Sequence, residues 1–144
     1  MGTIKFKANG RSENPTKTVV ETRGFRIVID EPKSVGGTNE AATPVEYVLA
    51  ALAGCLNVVG HIVAKERGIE LKGIEIEIEG DLDLQTYKNT DKESAVYKEV
   101  RVRMKPDTDT DEETLKDWLE EVEGRCAVSR TIKSPIPVLI SLKS

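Results

Sequence analysis

Residues 43–68, TPVEYVLAALAGCLNVVGHIVAKERG, form an almost uninterrupted apolar segment with helix signals at both ends. Thr43 suits the N-cap, Pro44 the first helical position, and Glu46 the third position of a capping box. Gly68 suits the C-terminal stop. A helix that is apolar on nearly every side has to be enclosed by other chain segments. We therefore predict a long central helix over 43–68 that packs partly against a second copy of the chain.

Segments with the pattern of β-strands lie on both sides of this helix. Apolar residues alternate with polar ones in 4–8, 74–80 and 96–105, the pattern of a strand with one buried face, and the segments on both sides of Gly24 predict a hairpin. The predicted strands are 4–8, 16–23 and 25–31 before the helix, and 74–80, 96–105 and 136–142 after it. Residues 32–42 are rich in turn formers and predict a loop.

The second half of the chain contains further helix signals. Thr110 and Glu113 predict a capping box, and Gly124 predicts the end of the helix that this box begins. Residues 125–134 predict a short third helix. The predicted order is βββ-α-ββ-α(α)-β, an α+β fold built as a single domain over residues 1–144.

Charge and composition exclude several classes of partner. The 21 basic side chains are scattered among 25 acidic ones, for a net charge of −4. This balance argues against a nucleic acid or an anionic membrane as partner. Residues 1–11 lack the apolar core of a signal peptide, so we expect the protein to be cytoplasmic. Glu46, Asn57 and His61 interrupt the apolar segment, which favours a core helix over a membrane span.

The two cysteines are the candidates for chemistry. The single histidine, His61, is expected to be a core residue rather than part of a catalytic triad or a zinc site. Cys55 follows Val48 and Leu52 on an apolar stripe, so it is either a small packed side chain or a reactive thiol. Cys126 would open a helix, where backbone N–H groups favour a thiolate. The residues alone leave these alternatives open.

Two segments resemble a known family. TPVEYVLAALAGC and RCAVSRTI closely resemble the two cysteine motifs of the OsmC/Ohr family, the osmotically inducible and organic hydroperoxide resistance proteins. The loop PKSVGGTNEAATP and the order of elements along the whole chain agree with that family. Ala127 stands where the family often has Pro, and Val45 stands where the hydroperoxide-resistance branch has Glu. The pattern is therefore more similar to the broad OsmC-like branch.

The resemblance implies a fold and an assembly. The implied OsmC-like fold has antiparallel sheets around a long buried central helix, in an intertwined homodimer with thiol sites at the subunit interface. It implies that Cys55 is the peroxidatic cysteine and that Cys126 resolves it as a disulfide. An Arg in an early Gly-Arg segment assists the thiolate in the family. Arg11 matches that position, with Arg23 and Arg26 as alternatives.

The resemblance also implies a catalytic Glu, which Glu46 matches only approximately. Glu46 and Cys55 would be about 13.5 Å apart along one helix and half a turn around it. Glu46 could therefore assist only a thiol of the partner subunit, or it could serve as a helix cap alone.

The implied function is the reduction of organic (alkyl) hydroperoxides by the cysteine pair. The reductant suspected from the resemblance is a lipoyl-type dithiol, and no metal or bound cofactor is expected. The alternative is a non-catalytic OsmC-like protein that binds a small hydrophobic or acyl ligand in the interface pocket.

Overall fold

The computed structural model describes residues 2–83 and 96–143, and the chain divides into two compact units, Met1–Val48 and Leu49–Ser144. Antiparallel strands and helices make it an α+β protein, as predicted. A single domain over residues 1–144 stays a prediction. The elements are β1 (Asn9–Ser12), β2 (Thr18–Thr22), β3 (Phe25–Ile29), a 3-10 turn (Lys33–Val35), α1 (Pro44–Glu66), β4 (Gly73–Leu82), β5 (Tyr97–Asp107), α2 (Glu112–Arg125) and α3 (Ala127–Lys133).

The first unit contains the antiparallel meander β1-β2-β3. Arg23 and Gly24 form the two-residue turn between β2 and β3, and both have positive φ, 51° and 86°. Such turns match the twist of the strands they join. The strand predicted over 4–8 is wrong. Residues 9–12 pair with β2 instead, which leaves Ile4 and Phe6 exposed.

The loop that leads into α1 is anchored on a buried carboxylate, that of Asp30. Asp30 accepts hydrogen bonds from the hydroxyl of Thr38, the backbone N–H of Glu31 (2.7 Å) and that of Glu40 (3.1 Å), and the hydroxyl of Thr16 (2.8 Å). These bonds, the one from Thr38 above all, hold the pKa of Asp30 far below its usual range. The carboxylate therefore stays ionised and fixes both ends of the loop.

Helix α1 begins and ends at the predicted signals. Gly68 has a φ of 69°, and its N–H and that of Ile69 donate to the carbonyls of Lys65 and Ala64. The buried positions lie along one face, at Leu52, Leu56, Gly60, Val63 and Ala64. None of the residues that the structure describes covers the opposite face, on which Val58 is 56% exposed. Among the described residues, α1 alone is long and apolar enough to cross a membrane, and a core helix meets the same criteria.

Strands β4 and β5 form the two-stranded sheet of the second unit, in the predicted alternating pattern. Ile76 pairs with Met104 and Ile78 with Val102, and these apolar side chains pack against the core. The opposite face is charged, and its ion pairs include Glu77 with Arg103 at 2.6 Å. This sheet therefore covers one side of the helical core.

The helices of the second half differ from the prediction in detail. The N-cap of α2 is Asp111, which accepts a hydrogen bond from the N–H of Thr114 at 3.0 Å; the predicted box with Thr110 and Glu113 is wrong. Gly124 does not end the helix, because α2 continues to Arg125. The predicted third helix is present as α3.

The predicted strand over 136–142 is also wrong. This segment has no regular secondary structure, and Leu139 and Leu142 are 93% and 100% exposed. Its β-branched and apolar residues are typical of a strand, but no strand among the residues described in this chain pairs with it.

Candidate functional site

Cys55 lies on the covered side of α1. Its side chain is half-buried, and it packs against the core cluster that Leu52, Leu56 and Val63 help to form. The helical period sets this position. Leu52 and Leu56, four residues apart, lie on one buried face of α1, and Cys55 lies three residues after Leu52, beside that face. Cys55 is a free thiol.

Cys126 lies at the junction of α2 and α3 and is fully buried. It follows Trp118 and Val122 at intervals of four residues, which places the three side chains on one face of α2 and its continuation. The backbone at Cys126 is extended, and its sulfur accepts a hydrogen bond from the N–H of Ser129 at 3.5 Å. Cys126 is therefore the N-cap of α3 as well as a core residue.

Helix α2 is fixed against α1 by a buried hydrogen bond. The indole Nε1 of Trp118 donates to the carbonyl of Gly60 at 2.8 Å. A Cβ at Gly60 would lie 2.7 Å from Ile74 and 3.1 Å from Trp118, so glycine is what allows this close approach. The approach brings the end of α2, and with it Cys126, towards α1.

The structure brings the two thiols together. Cys55 packs against the buried cluster that contains Cys126 and is near enough to raise the pKa of that thiol, and the two are not bridged. Burial raises the pKa of Cys126, the backbone N–H of Ser129 opposes that shift, and the neighbouring Cys55 raises the pKa further. Cys126 is therefore a protonated thiol at neutral pH, beside a more accessible one.

The carboxylate of Glu46 is engaged at the start of α1. Its Oε1 accepts a hydrogen bond from the N–H of Thr43 at 2.9 Å, and the N–H of Glu46 donates to the hydroxyl of Thr43 at 3.2 Å. These bonds lower the pKa of Glu46, the one from the Thr43 backbone most of all. The capping box predicted from the sequence is therefore present.

The candidate arginines lie on the strands and turns of the first unit. Arg11 is exposed on β1, opposite Val19, and its side chain forms no hydrogen bond or ion pair with the residues that the structure describes. Arg23 lies over the ring of Phe25, 5.2 Å from its centre. Arg26 lies opposite Glu21 in the register of β2 and β3.

His61 forms a hydrogen bond within its own helix. The Nδ1 of His61 lies 2.9 Å from the carbonyl of Asn57, which makes it a donor within its own helix. Within residues 2–83 and 96–143, no group of three His, Cys, Asp or Glu side chains is gathered where it could hold a metal ion.

A groove of about 450 Å³ lies in the second unit, and neither thiol is among the residues that line it. Leu52 and Leu56, on either side of Cys55 in sequence, form part of its wall. Another part is formed by Ser129, whose N–H bonds the sulfur of Cys126. Apolar side chains of β5 form much of the rest, and Glu123 and Lys133 stand at its edge, 2.9 Å apart. Nothing in the sequence reveals this groove, because its walls come from four separate elements.

Two further partners were missed by sequence reasoning. The N–H of Ser129 donates a hydrogen bond to the sulfur of Cys126, the N-cap of α3. The carboxylate of Glu66 binds Arg125, the residue directly before Cys126. The spacing Cys-x-x-Ser is compatible with an N-cap and could have revealed the first. No local pattern could have revealed the second, since its partners are 59 residues apart.

Comparison with known proteins identifies the family. The profile of the family described as OsmC-like protein matches residues 37–141, which include both cysteines. The chain belongs to the OsmC-like family. The Bacillus subtilis protein YmaD, described as uncharacterized, is 26% identical over 136 residues, which are 91% of this chain and 87% of YmaD.

Solved structures show the OsmC-like fold. An OsmC-like protein from Mycoplasma pneumoniae superposes with a TM-score of 0.78 at 17% identity, covering 92% of this chain and 89% of that one. The organic hydroperoxide resistance protein OsmC from Legionella pneumophila superposes with a TM-score of 0.69 at 20% identity, covering 92% of each chain. The fold expected from the resemblance is thereby confirmed.

Proposed function

We propose that this OsmC-like protein is a cytoplasmic thiol-dependent peroxidase that reduces organic (alkyl) hydroperoxides with an external dithiol. The observation that carries the proposal is the pair of free thiols, with Cys55 packed against the buried cluster that contains Cys126. Family membership supports it, because structural relatives are named as organic hydroperoxide resistance proteins. A cytoplasmic location agrees with two neighbouring thiols that stay reduced.

Cys55 is the peroxidatic and Cys126 the resolving cysteine in this proposal. The Cys55 thiolate attacks one peroxide oxygen, so that an S–O bond forms, the O–O bond breaks, and the alkoxide takes a proton and leaves as an alcohol. The Cys126 sulfur then attacks the sulfenic sulfur. An S–S bond forms, the S–O bond breaks, and hydroxide leaves as water with the Cys126 proton. A dithiol, of lipoyl type, restores both thiols by exchange.

The surroundings of the two thiols support this division of roles. Cys55 is half-buried, so a substrate can reach it, whereas Cys126 is fully buried. Burial raises the pKa of Cys126, so this residue still carries the proton that the leaving hydroxide needs. The apolar groove, lined in part by Leu52 and Leu56, favours alkyl hydroperoxides over hydrogen peroxide.

Arg11 and Glu46 are the remaining candidate residues. A thiolate on an apolar helix face needs a cation, and we assign that role to Arg11 because it matches the early Gly-Arg segment of the resemblance. Glu46 is assigned the helix cap, because its carboxylate already binds the N–H of Thr43. An additional action of Glu46 on a thiol of the partner subunit is tested below.

An intertwined homodimer is part of the proposal. Val58 and Ile62 are 56% and 44% exposed on the uncovered face of α1, which is more apolar surface than a helix normally leaves in water. The segments 4–8 and 136–142 were predicted as strands, yet their large apolar side chains are exposed and neither segment pairs with a strand among the described residues. A second copy that covers the helix and pairs with these segments would satisfy all three features.

The groove also favours the alternative function. A non-catalytic relative would use about 450 Å³ of largely apolar space to hold a small hydrophobic or acyl ligand. Such a protein would bind the ligand with both thiols unchanged, which separates it from a peroxidase.

Trapping the intermediate tests the proposal. Wild type given one equivalent of cumene hydroperoxide should form a Cys55–Cys126 disulfide, detected by mass spectrometry, and should consume excess peroxide when a dithiol is added. Cys126→Ser should stop at a sulfenic acid that dimedone labels on Cys55, and Cys55→Ser should not react. Dimedone on Cys126 would reverse the roles. Two thiols that both ignore the peroxide would refute the proposal and favour the ligand-binding alternative.

A further inference from the structure

Arg125, the residue directly before Cys126, ties the end of α2 to the end of α1. Its guanidinium binds the carboxylate of Glu66 as a fork, with Nη1 at 2.7 Å from one oxygen and Nη2 at 3.1 Å from the other. Nη1 also binds Glu121 at 3.1 Å, and Glu121 binds Arg67 at 3.2 Å. The four side chains form a chain of ion pairs, Glu66–Arg125–Glu121–Arg67, which joins the ends of the two helices.

This network does not activate the thiols by charge. The charge of Arg125 is balanced by two carboxylates. Its exposure of 42% also lets solvent screen what remains. Exposed ion pairs contribute little to global stability for the same reason. What a two-pronged Arg–carboxylate contact does supply is a fixed geometry.

The position of the fork explains what this geometry controls. Helix α2 contacts α1 through Trp118 on Gly60, and the thiols meet at Cys55, which lies about 16 Å along α1 from Glu66. Val122 and Cys126 pack in the same buried cluster as Leu52 and Leu56 of α1, but apolar packing is non-directional. The fork adds a directional contact between the two helix ends, one residue away from Cys126.

We propose that Arg125 is a positioning residue, whose fork on Glu66 holds the end of α2 so that the Cys126 sulfur stays against Cys55. Its consequence for catalysis rests on the function proposed above. With the fork in place, Cys126 attacks the Cys55 sulfenic acid, forming the S–S bond and releasing water. Without it, a second hydroperoxide competes, converts the sulfenic acid to sulfinic acid and leaves as the alcohol, which inactivates Cys55.

The test that does not depend on peroxidase activity is a thiol–disulfide equilibrium. The full-length protein is equilibrated with mixtures of reduced and oxidised dithiothreitol, and the Cys55–Cys126 disulfide is quantified after acid quench. We expect Arg125→Gln and Glu66→Gln each to lower the equilibrium constant for disulfide formation about fivefold, the factor that one such pair can contribute. The double variant should lose no more than either single one, because both remove the same contact. Arg125→Lys, which keeps the charge but loses the fork, should fall between Arg125→Gln and wild type.

The control is Arg103→Gln, which breaks a more exposed ion pair with Glu77 on the β4–β5 sheet, away from the thiols, and should leave the constant unchanged. Circular dichroism verifies that each variant is folded. The pKa of Cys126, followed by thiolate absorbance in a Cys55→Ser background, should be the same with Arg125 and with Gln at that position. Any of three results would overturn the proposal. These are a wild-type equilibrium constant in the Arg125 and Glu66 variants, additive losses in the double variant, and a pKa of Cys126 that depends on Arg125.

The same variants separate this inference from the proposed function. If wild type ignores hydroperoxide but the dithiothreitol constants change as expected, the peroxidase function fails and the positioning role stands. If wild type reduces hydroperoxide and the constants do not change, the positioning role fails alone. Under repeated additions of cumene hydroperoxide, Arg125→Gln should accumulate Cys55 sulfinic acid about fivefold faster than Arg103→Gln. Equal accumulation of sulfinic acid in the two variants would also contradict the positioning role of Arg125.

Discussion

Replacing Glu46 distinguishes a helix cap from a catalytic carboxylate. In the structure Glu46 accepts from the N–H of Thr43 and donates its own N–H to the Thr43 hydroxyl. Glu46→Gln keeps an acceptor oxygen at this place, so we expect a loss below about 0.5 kcal/mol in the free energy of unfolding. Thr43→Ala removes the other half of the box and should cost about 1 kcal/mol. Glu46→Ala should cost an intermediate amount, because water can replace the lost acceptor at this exposed helix end.

The pH dependence of stability shows the sign of the contribution that the charge of Glu46 makes to folding. Hydrogen bonds, first that of the Thr43 backbone, lower the pKa of Glu46 from its ordinary value of 4.5. A lowered folded pKa gives stability that is present above the unfolded pKa and is lost as the pH falls through the folded pKa. The difference in urea unfolding between wild type and Glu46→Gln should therefore be largest at neutral pH and should shrink as the pH falls below 4.5.

Activity decides between the two roles. If Glu46 only caps the helix, kcat/KM for cumene hydroperoxide should stay within about twofold of wild type in Glu46→Gln, as in the matched cap variant Thr43→Ala. A general acid–base or orienting role predicts a fall of about 100-fold or more. Such a fall in Glu46→Gln, at an unchanged melting temperature, would refute the capping assignment.

Three further predictions concern packing, ionisation and assembly. Gly60→Ala should destabilise the protein by about 1 kcal/mol or more in urea unfolding, because its Cβ has no room. Gly54→Ala, with nothing within 4 Å, should stabilise the single chain by up to about 1 kcal/mol; destabilisation at Gly54 would show that a second copy covers it. In Cys55→Ser, the thiolate absorbance of Cys126 should rise with a midpoint above the ordinary 9.0, since burial is the largest cause of its raised pKa; a midpoint below 9.0 would contradict this. Sedimentation should show a dimer at micromolar concentration that deletion of residues 136–142 weakens, and a stable wild-type monomer would contradict the assembly.

The local features of the fold were predictable from the sequence. The capping box at Thr43 and the stop at Gly68 are contacts between residues close in the chain, and the structure contains both. The alternation of 74–80 and 96–105 predicted β4 and β5, because each strand places one face on the core. Recognition of the two cysteine motifs further predicted the family, which comparison confirms.

The terminal segments show where such reasoning fails. Alternation reports that one face of a segment is apolar, but a strand also needs a neighbour to bond its backbone. Residues 9–12 take the edge of β2, although their sequence, NGRS, has no strand pattern, and 4–8 and 136–142 are left unpaired. The choice between Thr110 and Asp111 as cap of α2 likewise depended on where the chain turns.

The sequence by itself determined α1, the alternating strands and the identity of the two cysteine motifs, because each depends on residues that are near one another in the chain. Only the tertiary structure brought Cys126 to Cys55 and Arg125 to Glu66. Those contacts depend on the close approach of Trp118 to Gly60, which joins two distant helices. A contact across such a separation is set by how whole helices pack, and that packing is decided by the core as a unit rather than by any short run of residues.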